Sequence, residues 1–154
     1  MRWLGVGVAI LVLGVVGCRG EAVDDQPDQL VREFIIRMKR VHGNPRAGRQ
    51  AFELLSQRAQ RNLTERAARA SALAGRKVAP EEMIAPSRFS LLFDPKRISA
   101  SVKGDWATVT VYGSAPAREH REVRCVKEQG RWRVVLNLPP LPPIQKRRTP
   151  EAED

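Results

Sequence analysis

The sequence predicts an α+β fold in which N-terminal helices pack on an antiparallel sheet of about four strands. In the first half of the chain, apolar residues recur every three or four positions, as they do on one face of a helix. In the second half they alternate with polar residues, and glycine-containing turns separate the alternating stretches. Helices and strands are therefore expected in separate layers around one core.

The first helix is expected to begin at Pro27, because proline suits the first helical position and two aspartates precede it closely. The Gly-Asn-Pro sequence at 43–45 ends it. Its apolar face comprises Leu30, Val31, Phe34, Ile35, Met38 and Val41.

A second helix is expected from Pro45, with Arg58 turned outward and a break near Ser56 or Asn62. Gly75 ends the helical region, and Pro80 opens a further short helical segment. The apolar face of this second region comprises Ala51, Leu54, Leu55, Ala59 and Leu63.

Four alternating stretches predict the strands, and the turns between them favour a meander of hairpins. The turn signals are Gly104-Asp105, the loop 113–116 and Gln129-Gly130. The stretches contain Ile98, Ala100 and Val102; Ala107, Val109 and Val111; Val123, Cys125 and Val126; and Trp132, Val134, Leu136 and Leu138.

The N-terminus, MRWLGVGVAILVLGVVGC, has the layout of an export signal. Arg2 supplies the positive end, and the apolar run is shorter than the roughly 20 residues of a membrane-spanning helix. The last four residues, VVGC, resemble the bacterial lipoprotein signal. That resemblance implies cleavage between Gly17 and Cys18 and attachment of fatty acyl chains to Cys18. The alternative is a chance cysteine after an ordinary signal.

These features divide the chain into a signal peptide (1–17), a lipidated tether (18–26), one domain (27–138) and a disordered, proline-rich, charged tail (139–154). Two or three acyl chains give a durable membrane anchor. The lipoprotein resemblance therefore implies a place on the bacterial cell envelope, and the absence of Asp at position 19 favours the outer membrane in diderm bacteria.

The stretches KGDWATVTVYG and VRCVKEQGRWRVVLNL, together with the early helices, resemble the nuclear transport factor 2-like superfamily over about residues 27–138. The resemblance implies a curved sheet that wraps the helices into a cone, whose open end can hold an apolar ligand. It also implies pairing of two sheets in a homodimer as one arrangement. Members of the superfamily include isomerases, binding modules and adaptor domains, so the fold selects no function.

An isomerase of this kind needs a carboxylate base inside its pocket. Asp94, Asp105, Glu119 and Glu122 are poor candidates, since they fall in expected loops, in a turn or on an arginine-rich strand. The two histidines form no cluster with other metal ligands, and no phosphate-binding glycine loop is present in the sequence. We therefore expect no enzyme activity, no metal and no cofactor, and Cys125 is expected to be a small buried hydrophobic residue.

Most aromatic residues are expected in the core, and those considered as pocket lining are Phe89, Trp106, Tyr112 and Trp132. The formal net charge of +10 suits an anionic envelope surface as partner. Nucleic acid is not expected, because an exported chain rarely meets it. An ordinary solvated basic surface without a dedicated partner remains the alternative.

Two functions are compatible with these observations. The first is a membrane-anchored lipoprotein whose domain is a non-enzymatic interaction or assembly module, with an envelope protein or an anionic envelope surface as partner. The second is a carrier or binder of an apolar small molecule or lipid in the cone cavity. A deep pocket lined by Phe89, Trp106 or Tyr112 favours the carrier, and a filled cone beside an exposed apolar patch favours the module.

Overall fold

The computed structural model describes residues 26–84, 89 and 91–143. Three helices precede a four-stranded antiparallel sheet, which confirms the predicted α+β class. The helices are α1 (Pro27–Lys39), α2 (Pro45–Glu53) and α3 (Gln57–Ala74), followed by a 3₁₀ helix (Pro80–Met83). The strands are β1 (Arg97–Lys103), β2 (Trp106–Tyr112), β3 (His120–Glu128) and β4 (Arg131–Val134), paired in that order.

The helix boundaries follow local capping chemistry. Asn44 caps α2, since its side-chain oxygen accepts a hydrogen bond from the backbone N–H of Ala47 at 3.1 Å. Ser56 caps α3 through its hydroxyl, which accepts from the backbone N–H of Ala59 at 3.4 Å. At the other end of α3, Gly75 adopts a φ of 64°, which is typical of a helix C-terminus.

The sheet is a meander whose turns lie at the expected glycines. Gly104 and Gly130 have positive φ values of 59° and 79°, and Gln129 joins Gly130 with a φ of 52°. Two successive residues with positive φ form the hairpin turn whose twist suits antiparallel strands.

One face of the sheet, here called the inner face, packs on the helices. Its buried side chains include Ala107, Val109, Val111, Val123, Cys125 and Val134. They form one core with helix residues that are also buried, among them Leu30, Phe34, Leu55 and Leu63. On each strand the residues between the inner ones point to the opposite, outer face.

The α2–α3 junction covers the free edge of β4. The backbone N–H of Ser56 donates to the Val134 carbonyl, and the N–H of Val134 donates to the Leu54 carbonyl, both at 2.9 Å. These bonds satisfy edge groups that would otherwise be open to pairing with another chain.

The strands and the first helix differ from expectation at their ends. Helix α1 ends at Lys39, so Val41 and His42 follow it rather than complete it. Strand β3 begins at His120, and Glu119 therefore precedes the strand. Strand β4 ends at Val134 and does not include Leu136 or Leu138.

The proline-rich segment begins alongside α3. The Arg66 guanidinium donates to the Pro139 carbonyl at 2.7 Å, and the Arg69 guanidinium donates to the Pro142 carbonyl. Residues 144–154 lie outside the described residues, and disorder of the tail stays a prediction.

Replacing Gly113 with alanine is expected to destabilise the fold by about 1–3 kcal/mol, because a methyl group there has no space. A Cβ atom at this buried position would lie 2.8 Å from both the Phe93 ring and the Glu119 Cβ. Gly48→Ala is the matched control: its Cβ would meet nothing closer than 3.6 Å, and alanine favours helix α2 by roughly 0.5–1 kcal/mol. Urea unfolding of the full chain followed by circular dichroism measures both, and equal midpoints for the two variants would contradict the prediction.

Candidate functional site

A groove opens at the side of the sheet where β4 ends. Strand β4 pairs only with Cys125 to Glu128 of β3. The backbone N–H of Val135 donates one more bond, to the Arg124 carbonyl at 2.8 Å. The N–H of Leu138 then donates to the Leu136 carbonyl at 3.0 Å, which is a three-residue turn. The chain thereby leaves the sheet, and within the described residues the first half of β3 has no strand beside it on this side.

The groove has an apolar floor and a volume of about 420 Å³. This volume lies in the range of small-molecule sites, roughly 300–1,000 Å³. The floor is formed by Leu63, Ile84, Phe89, Val123, Leu136 and Leu138. We call this site the edge groove.

Three arginines also line the edge groove: Arg58 from the first turn of α3, and Arg121 and Arg124 from β3. Arg121 pairs with the inner residue Val111, whereas Arg124 pairs with Thr108 on the outer face. Both nevertheless line the same groove, which therefore includes residues from both faces of β3. With Glu122 as the carboxylate among the described lining residues, the site is cationic and suits an acidic group.

Aromatic rings support two of these guanidinium groups. The Arg121 guanidinium lies 5.6 Å from the ring centre of Phe89, and that of Arg124 lies 5.6 Å from the ring centre of Trp106. Such contacts are cation–π interactions, which hold the cation over the ring face. Phe89 is itself held by an edge-to-face contact with Phe34, with ring centres 4.5 Å apart.

The structure places two of the four aromatic residues considered as pocket lining in the edge groove. Phe89 is buried at its floor, and Trp106 is 51% exposed at its wall. Tyr112 lies instead on the outer face, under the Arg97 guanidinium at 4.2 Å. Trp132 is 4% exposed and belongs to the core.

The carboxylates considered as catalytic bases lie at the surface or are already engaged. The Asp94 carboxylate contacts the Lys39 ammonium at 3.4 Å, and Asp105 is exposed in the β1–β2 turn. The Glu119 carboxylate accepts from the backbone N–H of Ala115 at 2.9 Å. Glu122 lines the edge groove, and its side chain is exposed.

The two histidines lie apart from each other. His42 is exposed beyond α1, and the His120 ring nitrogen lies 3.1 Å from the Pro116 carbonyl. Across the described residues, no three His, Cys, Asp or Glu side chains are grouped as metal ligands would be.

Cys125 is fully buried on the inner face of β3. Burial raises the pKa of its thiol to about 12, since the thiolate loses its hydration. A thiol that keeps its proton at neutral pH is a weak nucleophile, and the side chain serves packing.

The proposed lipid-attachment residue Cys18 and the preceding Gly17 lie outside the described residues. None of the helices in the described part of the chain combines the length and the apolar character needed to cross a bilayer. Anchoring through Cys18 therefore stays a prediction.

No protein-family model, characterised protein or solved structure matches the chain. The resemblance to the nuclear transport factor 2-like superfamily accordingly stays a prediction.

The sequence did not indicate that Arg58, Arg121 and Arg124 share a site. Arg58 is 63 positions before Arg121, and Arg121 and Arg124 belong to opposite faces of one strand. Pro139-Pro140 limits how far β4 can extend, because proline provides no backbone N–H for a ladder, but it does not account for the end of β4 at Val134.

Proposed function

We propose that this chain is an envelope lipoprotein whose domain binds an anionic amphiphile, a molecule with one acidic group and an apolar chain, in the edge groove. The observation that supports the proposal is the lining of the groove, which combines three arginine side chains with a set of apolar side chains. Of the two functions compatible with the sequence, this arrangement favours the carrier or binder.

The two parts of the groove have different tasks. Arg58, Arg121 and Arg124 neutralise the acidic group, and a guanidinium can donate two parallel hydrogen bonds to one carboxylate. The floor removes the apolar chain from water, and each buried methylene contributes about 0.8 kcal/mol. A neutral ligand of the same length gains only the free energy of burying its apolar chain.

Titration of the purified full chain with dodecanoate, and separately with dodecanol, tests this division. Isothermal titration calorimetry is expected to show tighter binding of dodecanoate. In a double variant, Arg58→Gln with Arg124→Gln, dodecanoate affinity is expected to fall about 10- to 100-fold, because charge-assisted hydrogen bonds of about 1.5–3 kcal/mol are lost. Dodecanol affinity is expected to stay unchanged.

The matched control removes two exposed arginines outside the edge groove, Arg32 on α1 and Arg61 on α3, and is expected to bind both ligands like the parent chain. A second variant, Leu136→Ser, alters the floor and should weaken both ligands together. Equal affinity for the acid and the alcohol in the parent chain, or no binding of either, would refute the proposal.

A further inference from the structure

We propose that the outer face of the sheet binds an acidic polysaccharide. This site shares Trp106 and Arg124 with the edge groove, but its other residues lie outside the groove and it does not rest on the amphiphile proposal. It is built mainly on β1 and β2, and it gives the interaction-module hypothesis a specific surface and partner chemistry.

The pairing of β1 with β2 places a regular set of side chains on this face. Along β2 the outer residues are Trp106, Thr108, Thr110 and Tyr112, and their neighbours on β1 are Lys103, Ser101, Ser99 and Arg97. All four β1 residues are exposed, and those of β2 are exposed or half-buried.

Two aromatic rings mark the ends of this surface. Trp106 and Tyr112 are six residues apart on one strand, which separates their Cα atoms by about 20 Å. Each ring contacts a guanidinium, Tyr112 that of Arg97 at 4.2 Å and Trp106 that of Arg124 at 5.6 Å. The contacts restrain the rings and hold a cation over one face of each.

Four hydroxyl groups lie between the two rings. Thr108 is opposite Ser101, and Thr110 is opposite Ser99, so the hydroxyl side chains form two adjacent pairs. None of them takes part in a side-chain hydrogen bond with another of the described residues. Each can therefore donate to and accept from a ligand.

The charge of the outer face is complementary to an acidic partner. The strand register assigns five cations to it, namely Arg97, Lys103, Arg124, Arg131 and Arg133, against the carboxylates Glu122 and Glu128. The Glu128 carboxylate accepts from the backbone N–H of Gln57 at 2.9 Å, and the Arg133 guanidinium donates to the Glu53 carbonyl at 2.7 Å. Neither hydrogen bond changes the charge of its group, so the cations of this face outnumber its carboxylates. A polymer with repeated acidic groups can contact several of the cations at once.

A chain of acidic sugars fits these features better than other anionic partners. Sugar rings have apolar faces that pack on aromatic side chains, and their hydroxyls match the row of Ser and Thr residues. Single-stranded nucleic acid is typically bound by aromatic side chains that stack successive bases, whereas these two rings are about 20 Å apart with hydroxyls between them. A bilayer surface would leave the four hydroxyls without specific partners.

Binding of polygalacturonate oligosaccharides to the purified full chain tests the proposal. The methyl-esterified oligosaccharides serve as the comparison ligand, because they have the same sugar rings but no charge. We expect binding of the acid form and at least tenfold weaker binding of the ester. The double variant Arg97→Gln with Tyr112→Ala is expected to lose at least tenfold in affinity for the acid form. The matched control, Arg46→Gln with Arg49→Gln, changes two exposed arginines of α2 and is expected to keep parent affinity.

Charge alone is tested with poly-L-glutamate, and the other partners with oligo-dT and with vesicles of phosphatidylglycerol. Binding of any of these as tight as that of polygalacturonate would overturn the proposal, as would equal loss in the control variant. Urea midpoints of both variants verify that they are folded. Arg58→Gln, which alters only the edge groove, is expected to keep polygalacturonate affinity, so that failure of one site is distinguishable from failure of the other.

Discussion

Replacing Phe34 with alanine is expected to lower the free energy of unfolding by about 3–5 kcal/mol. Among the described residues Phe34 is the largest fully buried side chain, and it lies on the face of α1 that packs into the core. The substitution leaves a cavity that the surrounding side chains fill only in part. Since a domain of this size has about 5–15 kcal/mol in total, a large share of its stability is removed.

Urea unfolding of the full chain, followed by circular dichroism, measures this loss. Ile36→Ala is the matched control on the same helix, because Ile36 is 40% exposed and its truncation should change stability by about 0.5 kcal/mol at most. A Phe34→Ala variant as stable as the control would mean that α1 does not pack on the core as described.

Phe34 also connects the core to the edge groove. Its ring is the edge-to-face partner of Phe89, whose own ring forms part of the groove floor and contacts the Arg121 guanidinium. An aromatic pair of this kind contributes about 0.5–1.5 kcal/mol beyond the burial of its area. We therefore expect Phe34→Ala to weaken dodecanoate binding although Phe34 does not line the groove.

The helices and turns were predictable because their signals are local. Proline at the start of a helix, glycine at its end and glycine in each hairpin turn act through backbone geometry that neighbouring residues hardly change. Alternation also assigned Trp132 to the face that it shares with Val134, and both are buried in the core.

Where two positions had equal local signals for a helix break, tertiary contacts determined which of them breaks the helix. Ser56 and Asn62 were both plausible breaks in the second helical region, and the chain breaks at Ser56. There the backbone N–H of Ser56 donates to the carbonyl of Val134, which is distant in the sequence. A bond between residues so distant in the chain has no signature in the sequence around either one.

The edge groove could not be predicted for the same reason. Alternation continues past Val134 through Leu136 and Leu138, so the sequence favours a longer β4 that would cover the edge of β3. The strand instead ends early, and this exposes Arg121 and Arg124 to one common space. The site depends on where the pairing of β3 with β4 ends, and the periodicity of a single strand does not predict that position.

The two proposed sites meet at one corner of the molecule. Trp106 and Arg124 line the edge groove and also belong to the outer face. Variants at these two residues, including Arg58→Gln with Arg124→Gln, would affect both ligands. Arg58→Gln alone, and Arg97→Gln with Tyr112→Ala, are therefore the variants that separate the two sites. An amphiphile bound at the corner would compete there with a bound polysaccharide, and the competition would be limited to that end of the face.

The last prediction concerns Cys125 at alkaline pH. Burial raises the pKa of its thiol from 9.0 to about 12 in the folded chain. Between these values the unfolded chain releases the proton and the folded chain keeps it, so stability must fall as the pH rises. Each pH unit above about 9 removes about 1.4 kcal/mol, and the full window removes about 4 kcal/mol.

Other groups titrate in the same window, and the Cys125→Ala variant isolates the thiol. The stability advantage of the parent chain over this variant is expected to be constant from pH 7 to 8 and to decline above pH 9. Parallel stability profiles up to pH 11 would show that the thiol is not protected by burial. A thiol reagent at pH 8 provides an independent measure, because Cys125 should react only after unfolding in urea.

The same thiol titration in urea also tests the lipid anchor at Cys18. The mature chain should present one reactive thiol if an acyl group blocks Cys18, and two if it does not.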